Sequence, residues 1–257
     1  MTYFLAFLLT LFPFFAQAQN HGYDVAPIEQ EAPRQLSPVA KVLLSDDTQA
    51  LKKMIEEGLD VNARDEEGDT LLLFTLANND NLEIARMLLD AGADINAPSQ
   101  RDGITPLLEA TTMANELQKQ AQKIYKNPAA LKHTNISAGN LKNRAVHQMQ
   151  YATKLTKMLI EHGADVNRET PYGTPLMNAC TNEWNKEIVD MLLEAGADVN
   201  KKDRNGRTAL FYASAFNCND ILTKLLAAGA DIEIKDIYGK SYMDAEPKDL
   251  VIDPEDI

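Results

Sequence analysis

Apolar and polar residues alternate along this chain in a pattern that repeats. Five amphipathic runs end in glycine: KKMIEEG, ARMLLDAG, TKMLIEHG, VDMLLEAG and TKLLAAG. In the fourth, Ile188, Val189, Met191, Leu192 and Leu193 fall on about one face of a helix, which predicts a helix over Lys186–Glu194. The glycine then ends the helix by taking a left-handed cap conformation. An extended phrase follows each time, written GLDVN, GADIN, GADVN, GADVN and GADIE. A second series keeps the same time: GDTLLLFTLA, GITPLLEA, GTPLMNA, GRTALFYA and GKSYMDA. There a Thr–Pro pair opens a short helix, the hydroxyl capping orphan N–H groups and Pro fitting the first turn; one example is predicted over Thr174–Cys180. Between the two series, sequences such as KKDRNGR make a turn with Asn-Gly at its tip.

The unit is therefore helix, turn, helix, extended turn. The first glycines of the five phrases, Gly58, Gly92, Gly163, Gly196 and Gly229, follow one another at steps of 34, 71, 33 and 33. A fixed period of this length sets the architecture. The motifs resemble those of the ankyrin repeat, in which a T-P-L phrase, a second helix and G-A-D-V-N recur in fixed order. The resemblance covers about 37–246 and implies an all-α solenoid of helix-turn-helix units with β-turn fingers. One departure stands out: the histidine usual after T-P-L is replaced by Leu73, Leu108, Met177 or Phe211. Stacking must then rely more on apolar contact. Units are expected at about 37–63, 64–97, 98–168, 169–201 and 202–234, with a closing half-unit at 235–250 and an acidic tail at 251–257.

The step from Gly92 to Gly163 is two periods long and contains an insertion at 113–150 between the two helices of its unit. Met113, Leu117, Ala121 and Ile124 step at helical spacing, and so do Leu141, Ala145, Met149, Ala152, Leu155 and Leu159; Pro128 and Gly139 punctuate the middle. This pattern predicts an antiparallel helical hairpin rising roughly 20 Å from the stack at about 1.5 Å per residue.

Charge sharpens this picture. The chain carries −13, yet the insertion sets Lys119, Lys123, Lys126, Lys132, Lys142 and Arg144 against Glu116, or +5, leaving −18 elsewhere. A chain this acidic is expected to avoid nucleic acid and anionic membrane surfaces. The opening stretch 1–18, MTYFLAFLLTLFPFFAQA, has a short apolar core broken by Pro13 and small residues at Ala16 and Ala18. It reads as a signal peptide cleaved after Ala18, followed by a flexible leader over 19–36. The expected compartment is the periplasm, or the exterior in a eukaryote. Cys180 and Cys218 are one helical turn out of register between neighbouring units, which argues against a disulfide.

The residues offer no chemistry. His21, His133, His147 and His162 are scattered, with no nucleophile motif, phosphate loop or Cys/His cluster. No catalytic, metal or cofactor site is expected, and the protein is read as a non-enzyme. Trp184 is expected to cap the core locally. The resemblance implies binding of another protein at a concave face. Carried over by position, that face includes Arg101, Ile104, Tyr172, Thr181, Asn182, Arg204, Asn205, Arg207, Phe216 and Tyr238. The insertion lysines and Arg144 form a second candidate surface. Two readings follow: a monomeric scaffold or immunity-type inhibitor of a toxin or enzyme, or an envelope-attachment protein whose basic hairpin lies on anionic lipid or cell-wall polymer.

Overall fold

The computed structural model describes residues 37–113 and 138–245, with the backbone alone over 138–145. The proposed signal peptide, leader, tail and first arm of the hairpin lie outside these residues. Ten helices run through the described part. α1 (Pro38–Leu44) and α2 (Thr48–Glu56) are followed by α3 (Leu71–Asn78) and α4 (Leu82–Asp90). Next come α5 (described over 106–113) and α6 (Ala138–Glu161). The last pairs are α7 (Pro175–Ala179) with α8 (Lys186–Glu194), and α9 (Ala209–Ala215) with α10 (Asn219–Ala227). Short 3-10 turns cover Glu183–Asn185 and Tyr242–Asp244. The described residues hold no strand, only isolated bridges at Arg64–Thr70 and Thr170–Gly173 inside two fingers.

Each helix starts and stops where its residues dictate. Thr70, Thr105 and Thr174 accept hydrogen bonds from the N–H groups of Leu73, Leu108 and Met177 at 3.2, 3.3 and 3.3 Å. Thr208 makes no such bond, so α9 relies on packing. The five glycines that end the longer helices have φ between 87° and 93°, a region closed to most side chains.

One apolar core runs through every unit. Leu43, Leu51, Leu72, Ile84, Leu107, Leu155, Leu176, Leu192 and Leu225 are all at most 1% exposed and belong to one cluster. The residues that replace the expected histidine are sealed inside as well: Leu73, Leu108, Met177 and Phe211 are at most 5% exposed. Apolar contact does take the place of that polar group. At about 25 cal/mol per Å² of apolar surface, these side chains supply most of the favourable energy.

A ladder of asparagines stitches the extended turns together. Asn62 accepts from the N–H of Asp94 at 2.7 Å, Asn167 from Asp198 at 2.7 Å and Asn200 from Asp231 at 2.7 Å. Their amide groups donate onward to the carbonyls of Gly92, Gly196 and Gly229 at 3.1, 3.0 and 3.1 Å. The ladder crosses the insertion without a break, since Asn96 accepts from Asp165 at 2.8 Å. The long unit is thus stacked in the same register as its neighbours. The ladder ends at the last phrase, where Glu233 stands in the asparagine position.

Candidate functional site

Two surfaces emerge from this stack, a finger row on one edge and a row of helix–helix turns on the other. Consecutive fingers are joined. The N–H of Gln100 donates to Gly68 O at 3.2 Å and that of Ile237 to Asn205 O at 2.9 Å. Arg101 bridges its own finger and the preceding one, pairing with Glu67 at 2.7 Å, Asp69 at 3.6 Å and Asp102 at 3.5 Å. Behind this cluster, on α5, sits the half-buried Glu109. Burial first, and then the Asp102 and Asp69 carboxylates, push its carboxyl up to about 7 against the pull of Arg101. Burial raises Asp69 too, partly offset by a hydrogen bond from Ser99 and by Arg101.

The finger candidates separate by exposure. Tyr238 is 70% exposed, and Arg101 and Arg204 are exposed. Ile104, Tyr172 and Asn205 are half-buried. Arg207 is a correction: it is buried, its Nε 3.8 Å from the Asp236 carboxylate of the next finger, where it locks two units together. Sequence position alone put it at the tip, but the side chain turns inward to meet a buried acid.

On the opposite edge, Asn182 is a second correction. It is 4% exposed and accepts from the N–H of Trp184 at 2.8 Å, capping the 3-10 turn. Thr181 is half-buried and donates to Asn178 O. Trp184 does not seal the core as expected; its side chain is 51% exposed. Phe216, the residue that ends α9 in the next unit, is 37% exposed. The two turns are bound to each other. The N–H of Asp220 donates to Glu183 at 3.0 Å, and Lys186 pairs with both Glu183 and Asp220. The hydrogen bond from Lys186 pulls the Asp220 carboxyl down.

The unit before these turns carries the extension. α6 has 24 residues, where α2, α4, α8 and α10 have 9 each. It is anchored on the preceding turn, the Tyr151 hydroxyl donating to Asn79 O at 3.1 Å. A cleft of about 430 Å³ at its foot has His147 and Lys154 on α6 and Asp80 and Glu83 across from them. Lys142 and Arg144 lie on the backbone of α6; Lys119, Lys123, Lys126 and Lys132 lie outside the described residues.

Both cysteines are free and buried. Burial raises the Cys180 thiol, with Cys218 adding to it. Burial and then the Glu183 carboxylate push Cys218 up to about 12, so neither is a nucleophile near neutral pH. Among the described residues, no three His, Cys, Asp or Glu side chains converge as a metal site, and no helix is long and apolar enough to cross a membrane.

Comparison with known proteins adds the following. The family model described as Ankyrin repeats (3 copies) matches residues 39–126 and 143–236. Among curated proteins, the human Ankyrin repeat and SOCS box protein 6 is 28% identical over 169 residues, covering 63% of this chain and 34% of its own length. A putative ankyrin repeat protein of fowlpox virus, FPV233, is 37% identical over 57 residues, or 22% of this chain and 11% of its own. The chain thus spans about a third or less of these relatives. Among solved structures, the ankyrin repeat protein EF0377 is 25% identical with a TM-score of 0.61, covering 83% of this chain and 92% of that one. An ankyrin repeat domain from Acinetobacter baumannii AYE is 28% identical with a TM-score of 0.61, covering 81% and 89%. A chain in the complex of the predatory endopeptidase Bd0816 of Bdellovibrio bacteriovorus with immunity protein Bd3460 is 22% identical with a TM-score of 0.58, covering 82% and 91%.

Proposed function

Because the chain belongs to the ankyrin-repeat family, whose fold is a scaffold for binding other proteins, we propose that it is an exported, non-catalytic binding module that grips its partner along the edge of helix–helix turns. The observation that carries this reading is the coincidence on one edge of the lengthened α6 with the exposed Trp184 and Phe216 of the next two units. Aromatic side chains held on a rigid frame lose little entropy on binding and dominate interface energies. An insertion of this length in a compact repeat costs little in loop entropy and is often functional. The positive charge of the inserted segment, in an otherwise acidic chain, suits an acidic partner face.

In this reading the protein acts by occupying or shielding its partner, as an inhibitor or an accessory subunit would. The likeness to a chain of the endopeptidase–immunity protein complex concerns the fold and names no partner for this chain. Export rests on the apolar opening and its Ala16-Gln17-Ala18 motif, and it implies a periplasmic partner.

The test is a cross-linked pull-down from the native envelope fraction with three proteins. They are the intact chain, one with residues 114–149 removed, and W184A/F216A. The removal is set by register: it restores between Thr105 and Gly163 the spacing that Thr70 and Gly92 keep in an uninterrupted unit. A partner captured by the intact chain and lost from both variants supports the reading. Capture unaffected by either variant moves binding to the finger edge. Mass spectrometry of the secreted chain checks export, with Gln19 expected as its first residue. Sedimentation with anionic vesicles tests the envelope-attachment alternative, which fails if nothing binds at low salt.

A further inference from the structure

The fingers carry a charge pattern that complements itself. In chain order the five fingers are 62–70, 96–105, 167–174, 200–208 and 233–241. The first sets Asp65, Glu66, Glu67 and Asp69 against Arg64, a net −3. The fourth sets Lys201, Lys202 and Arg204 against Asp203, a net +2 outside the buried Arg207–Asp236 pair. The second and third each balance to zero. The first and second fingers are joined, as are the second and third and the fourth and fifth. Besides the finger-to-finger hydrogen bonds, a Cβ placed on Gly103 of the second finger would stand 3.0 Å from Pro171 of the third. The charged tips face outward, with Asp65, Glu66, Glu67, Lys202 and Arg204 all exposed.

From this arrangement we propose that the finger edge is the interface of a symmetric dimer of this chain. A two-fold axis between the second and third fingers lays the first finger of one copy on the fourth of the other. There the exposed Asp65, Glu66 and Glu67 meet the exposed Lys202 and Arg204, while the neutral second and third fingers meet at the centre. A two-fold contact requires one patch to complement itself, and an antiparallel row with opposite charges three fingers apart does so. The parallel alignment would set −3 on −3 and is disfavoured. The two ends are separated by roughly 30 Å at the usual spacing of packed helices, far enough for each to act separately in salt. Near the axis, Tyr172 of the third finger meets Arg101 of the second finger of the other copy, an aromatic–guanidinium pairing common at interfaces. The net charge of −13 opposes association, but at physiological salt charges beyond about 8 Å are screened and the tips in contact decide.

The dimer departs from the monomer expected from sequence. It leaves the edge with α6, Trp184 and Phe216 facing outward in both copies, so it is compatible with the proposed partner site without depending on it.

Sedimentation velocity of the mature chain, from about 10 to 500 μM in roughly 0.15 M salt, reads the association directly. The wild type is expected to form a dimer that weakens about tenfold or more in 0.5 M salt. K202E/R204E and E66K/E67K, each checked for native helicity by circular dichroism, are expected to sediment as monomers. An equimolar mixture of the two, with like charges removed at both contacts of one pairing, is expected to associate again. A wild type that stays monomeric across the whole range overturns the proposal, and so does a reversed variant that dimerises as the wild type does. Neither result bears on the pull-down, which reads the other edge.

Discussion

Glu109 shows how a single position on a repeat acquires its own behaviour. Its place on α5 sinks a carboxyl beside Asp102 and Asp69, and its pKa rises from 4.5 to about 7. The folded protein therefore holds a proton there that the unfolded chain releases. That contribution to stability is complete below about pH 4.5 and is lost as pH rises through 7. Stability should fall by roughly 3 kcal/mol across this window, since each tenfold change in proton affinity is worth about 1.4 kcal/mol. Urea unfolding at several pH values measures it, and Glu109→Gln should remove most of the slope. A slope of the same size in that variant would assign the effect to other groups. The thiols give a second test at this scale. With Cys180 and Cys218 buried and both thiols raised, the native protein should be inert to a thiol reagent at pH 8, and both should react after unfolding. Fast reaction in the native state would show that the turn around Cys218 opens.

At the scale of elements, helices and turns contribute differently. Helix ends follow local chemistry, as the bounds of α7 and α8 show: α8 matches the sequence expectation residue for residue, and α7 is flanked by its cap residues Thr174 and Cys180. The joints between units depend on the asparagine ladder. Asn167 makes two bonds to the next unit, one accepted from Asp198 N and one donated to Gly196 O. Asn167→Ala should cost about 1–2 kcal/mol in urea unfolding, since two hydrogen bonds are lost at a half-buried joint. Substitution at Glu233, which ends the ladder, should cost a few tenths of that. The GADVN phrase was legible in the sequence as a repeat, and its aspartates as turn formers. The bonding of its asparagine to the following unit was not. Asp198 lies a whole repeat further along the chain than Asn167, and the two stand opposite each other only once the units stack.

The whole molecule is one core shared by successive units. Leu192 on α8 is fully buried in the middle of that core. Leu192→Ala should destabilise by about 2–5 kcal/mol, a loss larger than any surface change, readable as a lower urea midpoint. Removal of 114–149 should leave that midpoint nearly unchanged, because the ladder and core pass across the insertion. A large drop on removal would make the insertion part of the stack's own stability. Charge acts at this scale too. The finger polarity and the lengthened α6 lie on different edges, and each gives the acidic chain a distinct place to meet another surface.

The sequence by itself determined the period, the helix and cap positions, the family and the unit that had grown. These rest on local signals, such as apolar spacing, Thr–Pro starts and glycine stops, which act over one or two turns of chain. It also marked the candidate positions by register. The tertiary structure alone decided which of them reach the surface. Arg207 turned inward because Asp236 of the next finger offered it a buried partner, and Asn182 was consumed as a cap. Trp184 stayed exposed because the Asn182 cap and the Glu183–Lys186–Asp220 ties already close its turn. Exposure is set by contacts between units, and a single unit's residues do not carry that information.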